Sequence, residues 1–96
     1  MDSLFTIVIS IRTLHGMQTI GTFFPGSEVD FALSVFDSLK GDITTDADAL
    51  IRIDLERKDE GILPVVMKSL SCTLDQYAEN CKIITRDIFK YFTLIK

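Results

Sequence analysis

Shifting the chain by 46 residues, so that Phe5 falls on Ile51 (51 − 5 = 46), brings two similar halves into register. Phe5, Ile7 and Ile9 fall on Ile51, Ile53 and Leu55. Ser27 falls on Thr73, Asp30 on Gln76, Phe31 on Tyr77 and Ala32 on Ala78. Each half therefore runs from an alternating apolar segment, through a turn and a second extended segment, to a hydroxyl residue suited to capping a helix. Only the turns are out of step, Gly16 against Gly61, by one residue. The pattern predicts an α+β fold in the order ββαββα, a four-stranded, mostly antiparallel sheet with two helices on one face. The correspondence reads either as an old duplication about a pseudo-two-fold axis or as the general likeness of any two ββα units, and the architecture is the same under both. The first ββα unit spans 1–41 and the second 47–96, within a single domain of 96 residues, a length that leaves no room for a second core.

The local signals support each element. Phe5, Ile7, Ile9 and Ile11 alternate with Thr6, Val8, Ser10 and Arg12, a period of two rich in β-branched side chains. Leu14-His15-Gly16 breaks this strand and Met17 to Phe24 returns, with Gly21 marking a bulge or a close backbone approach. Ser27, with Asp30 three residues on, is expected to cap a helix over 28–40 whose stripe of Ala32, Val35, Phe36 and Leu39 faces the sheet. Gly41 fits the position after its end. Ile51, Ile53 and Leu55 predict a third strand, and Ile62 to Cys72 a fourth, which Pro64 places at a sheet edge. Thr73 and Gln76 form a second capping box. The helix that follows carries Tyr77, Ala78, Cys81, Ile84, Ile88 and Tyr91 at helical spacing and is expected either to continue or to break near Thr85.

Composition narrows the function. Apolar residues make up 47% and charged residues 25%, an ordinary globular mixture. The net charge is −4, and most basic residues have acidic neighbours, as in Asp54-Leu55-Glu56-Arg57-Lys58-Asp59-Glu60. Nucleic acid and anionic membranes, which demand a basic patch, are therefore not expected partners. The first residues carry Asp2 where a secretion signal would carry basic residues, and no run approaches the roughly 18 apolar residues of a membrane span. The expected compartment is the cytoplasm.

No motif predicts catalysis or a cofactor. Cys72 and Cys81, with eight residues between them and a single histidine in the chain, match neither a zinc nor a redox motif. Asp42, Asp46 and Asp48 lack the alternation and the glycine of a calcium loop. His15 sits in a predicted turn, a poor place to hold a reacting group. Asp54 and Glu56 lie near Arg52 and Arg57, which favour the charged carboxylate over the raised acid that glycosidase chemistry needs. The expectation is no catalytic, cofactor or metal residue.

Two regions bear on partners. Helices on one face of the sheet leave Thr6, Val8 and Ser10 on the other, an uncharged strip. The C-terminal segment adds Phe89, Tyr91, Phe92, Leu94 and Ile95. These eight residues are the candidate interface of a protein-binding module expected to form a homodimer. The competing expectation is a small-ligand-binding protein or minor enzyme with a pocket between helices and sheet, lined by Phe31, Phe36, Tyr77 and Cys81.

Overall fold

The computed structural model describes residues 3–43 and 49–94, with side chains described through Tyr91. Six elements follow one another: β1 (Leu4–Thr13), β2 (Gly16–Gly26), α1 (Val29–Asp37), β3 (Ile51–Lys58), β4 (Val65–Cys72) and α2 (Leu74–Leu94). The strands form one sheet in the order β2-β1-β3-β4, and every pairing is antiparallel.

Two hairpins meet along β1 and β3. The first closes through Leu14 and His15, where Thr13 pairs with Gly16. The Thr13 hydroxyl donates to the Gly16 carbonyl at 2.8 Å and accepts from the His15 amide at 3.1 Å. Gly16 takes φ 104°, which glycine adopts at little cost. β2 carries two register irregularities, and one of them sets Ile9 opposite Gly21 but Ser10 opposite Thr19. Gly21 thus adjoins a bulge, and no atom would crowd a Cβ there.

Across the central seam Val8 pairs with Asp54. These residues stand one repeat apart (54 − 8 = 46), so a two-fold axis through this pair would exchange the two hairpins.

Ile7, Ile9, Ile51, Ile53 and Leu55 project from the central strands into a core closed by Ala32, Val35 and Phe36 of α1 and Ile84 of α2. Burying this many aliphatic side chains is the main stabilising contribution, each worth about 1.5–3 kcal/mol. Both helices therefore lie on one face. They run antiparallel: the Phe31 and Tyr91 rings stack at 3.9 Å at one end, and Asn80 contacts the main chain of Lys40 at the other.

The helix boundaries differ from the sequence reading in two respects. α1 is shorter than 28–40, and Ser27 does not cap it; Glu28 holds the N-cap position without a side-chain hydrogen bond. The last turn ends when the Ser38 hydroxyl donates to the Val35 carbonyl at 2.6 Å, an alternative to continued helix that serine commonly supplies. α2, by contrast, is continuous through Thr85. Its capping box forms in both directions: the Gln76 amide donates to the Thr73 hydroxyl at 3.2 Å and the Thr73 amide to the Gln76 side chain at 2.9 Å. β4 begins at Val65 rather than Ile62, since Pro64 has no amide to give a ladder. It is an edge strand.

Candidate interaction surfaces

The sheet face opposite the helices is built in rows fixed by strand register. Thr22, Val8, Asp54 and Ser69 form one row, and Thr19, Ser10, Arg52 and Ser71 the next. Hydroxyls dominate. At the centre Asp54 is 3% exposed, and its carboxylate accepts from the Ser69 hydroxyl at 2.5 Å and from Arg52 Nε at 3.2 Å. Burial of a charge is tolerable because both carboxylate oxygens are matched.

Of the strip read from the sequence, Ser10 is buried, while Thr6 and Val8 are half-buried among their neighbours. Hydroxyl side chains and the Arg52–Asp54 ion pair adjoin it on the same face. In the C-terminal segment, Phe89 is 64% exposed, whereas Tyr91 is stacked on Phe31. Phe92 and Leu94 lie on α2 with side chains outside the described set, and Ile95 lies outside the described residues.

A larger apolar exposure lies elsewhere. Ile62, Leu63, Val65, Val66 and Met67, on β4 and its approach, are all exposed, Leu63 at 83%. No charged residue occurs between Gly61 and Lys68. The signal was present in the sequence as this uncharged run, but an apolar strand reads equally well as one buried in a core. At the far end of β4, Ser71 exchanges two backbone hydrogen bonds of 2.8 Å with Asp42. Among the described residues the strand is covered there and bare towards Val65.

The groups capable of covalent chemistry are differently placed. Cys72 is buried beneath α2, and burial pushes its thiol above the ordinary value, a hydrogen bond with Asn80 opposing this in part and Cys81 adding to it. The nucleophilic thiolate is thereby disfavoured. A hydrogen bond to Cys81 holds the Tyr77 phenol in its protonated form. His15 is exposed at its hairpin turn. Asp59 accepts from the Ser3 hydroxyl, the main cause of its lowered carboxyl pKa, with Arg57 Nε at 3.3 Å assisting. Among the described residues no three His, Cys, Asp or Glu side chains gather to hold a metal, and no helix is long and apolar enough to cross a membrane. Asp46 and Asp48 lie outside the described residues.

Of the residues expected to line a pocket, Phe36 belongs to the core, and Phe31, Tyr77 and Cys81 pack against it half-buried. A cleft of about 340 Å³ opens between the end of α1 and β4, with Phe36, Leu39, Ile43 and Leu70 on its walls. Lys68 and Asp37, paired at 2.8 Å, line it as well.

Comparison with protein-family models, with curated proteins and with solved structures finds no match.

Proposed function

We propose that this chain is a non-enzymatic interaction module that self-associates and binds protein. The observation that carries the reading is the bare half of edge strand β4, where Leu63, Val65, Val66 and Met67 are exposed together. Edge strands in soluble proteins are ordinarily protected by charge, by a bulge or by a cover; here the register shifts at Met67, between Val66 and Lys68, while no charge stands between Val65 and Met67. An uncharged, exposed edge suits an extended partner segment that adds a strand, its main chain giving affinity and its side chains meeting the aliphatic row. The pairing of Val8 with Asp54, one repeat apart, supports an origin of the two ββα units in duplication.

The test is sedimentation equilibrium of the full chain together with amide NMR. A weight-average mass rising towards twice 10.8 kDa at high micromolar concentration supports self-association. Extended apolar peptides that shift the Val65 to Ser69 amides support strand addition. A strictly monomeric chain whose β4 amides respond to no such peptide overturns the reading.

The cleft beside α1 favours a second reading, a small-ligand-binding protein, because it joins apolar walls to a charged pair in the manner of many ligand sites. Fragment binding that shifts Leu39 and Leu70 resonances would support it.

A further inference from the structure

The outward side of α2 has a polarity along its length. Asp75 and Glu79 are exposed near its start, and Lys82, Arg86 and Lys90 farther along. A helix gains from acids in its first turn and bases in its last. That accounts for Asp75, but not for Glu79 or Lys82 farther along, and the last turn of α2 carries no basic residue. Where the acidic and basic stretches meet lies a shallow depression lined by Ala78 and Ile83 together with Asp75, Glu79, Lys82 and Arg86. One helical turn beyond, Phe89 borders a second with Cys81, Lys82, Thr85 and Arg86. Its ring is largely bare.

We propose that two copies of the chain associate through this face of α2, with the helices antiparallel across a two-fold axis between Lys82 and Ile83. This rests on the self-association proposed above and assigns it a surface. One register satisfies both charge pairs: Glu79 falls opposite Arg86 of the second copy, and Asp75 opposite Lys90 of the second copy. A parallel arrangement would set like charges against each other. In the antiparallel register Phe89 approaches the depression at Ala78 of the other copy, where the small side chain leaves room for a ring. Lys82, close to the axis, falls opposite Ile83 of the other copy and beside its Lys82, each one turn from Glu79 of its own chain, so the attraction rests on the Glu79–Arg86 and Asp75–Lys90 pairs. Arg86 pairs with its neighbour Asp87 at 3.2 Å, exposed to solvent, so its guanidinium reaches a new carboxylate without leaving a buried one unpaired. A two-fold contact is made twice, which is why a modest helix surface suffices. The overlap from Asp75 to Lys90 is about 22 Å at 1.5 Å per residue, at the small end for a stable interface. The dimer is accordingly weak, and salt weakens it further.

The experiment uses the full-length chain in low salt and two variants, Glu79→Arg and Arg86→Glu, each checked by circular dichroism for an intact fold. Wild type associates. Each variant alone loses about tenfold or more in self-affinity, since its homodimer opposes like charges. Mixing the two restores association, because one chain presents two bases where the other presents two acids. If wild type associates while the variants match it, or if mixing restores nothing, the α2 seam is overturned and self-association stands on another surface. A wild type that stays monomeric at high micromolar concentration overturns both.

Discussion

The carboxamide of Asn80 closes both backbone groups of Lys40: its Oδ1 accepts from the Lys40 amide at 2.7 Å, and its Nδ2 donates to the Lys40 carbonyl at 2.8 Å. Asn80 is fully buried on α2, so this pair joins the segment leaving α1 to the second helix as a strand neighbour would. Replacing Asn80 with Ala strands both main-chain groups, each costing about 1–3 kcal/mol when left unpaired away from water. The urea midpoint should fall accordingly, with an unchanged slope. A midpoint equal to wild type would show that water satisfies Lys40.

Phe36 packs from α1 onto the sheet and is nearly enclosed. Phe36→Ala removes the ring and leaves a cavity beside the cleft, at a cost of about 3–5 kcal/mol. Partial collapse of the cleft into the space would bring the loss to the lower end. An unaltered denaturation curve would place Phe36 outside the core.

Gly41 turns the chain from α1 towards β4 with φ 151°. A Cβ at this position would lie 2.5 Å from the Ser71 carbonyl oxygen and 2.8 Å from Leu70 Cδ1. The close approach permits the paired hydrogen bonds between Asp42 and Ser71 that cover one end of the edge strand. Gly41→Ala should cost about 1–3 kcal/mol, from overpacking and from backbone strain. Hydrogen exchange at the Ser71 amide should accelerate more than at Ile53. Equal acceleration at both would point to global destabilisation alone.

What could be read in advance follows the range of the forces involved. Alternation over Phe5 to Ile11 and over Ile51 to Leu55 is set by one strand and one buried face, and the strands appear where it occurs. The shift that aligned the halves is the separation of Val8 and Asp54, which meet across the seam. Thr73 and Gln76, three residues apart, cap each other as their spacing requires. Ser27 carries the same local signal and caps nothing, since α1 starts from Glu28. Asn80 was illegible because its partner Lys40 lies forty residues away and contributes only main chain. The bareness of Leu63 and Val66 was hidden for a related reason: whether an apolar strand is core or edge depends on what lies beyond it.

Cys72 and Tyr77 give the fold an alkaline limit. Burial raises the Cys72 thiol above its ordinary value of 9.0, and the hydrogen bond to Cys81 raises the Tyr77 phenol above 10.0. Each group then holds its proton in the folded chain at a pH where the unfolded chain has released it. Unfolding in that window releases protons, so raising the pH favours the unfolded state. Their contribution is fully present below about pH 9 and is lost as pH climbs through the folded-state values. Urea midpoints measured from neutral pH upward should hold level and then decline above the thiol value. In Cys72→Ala the decline should begin later, near the ordinary tyrosine value, even though the plateau is lower for want of a buried sulfur. Tyr77→Phe should flatten the upper part of the curve. Identical slopes in wild type and both variants would show that neither group is protonated more tightly in the folded chain than in the unfolded one.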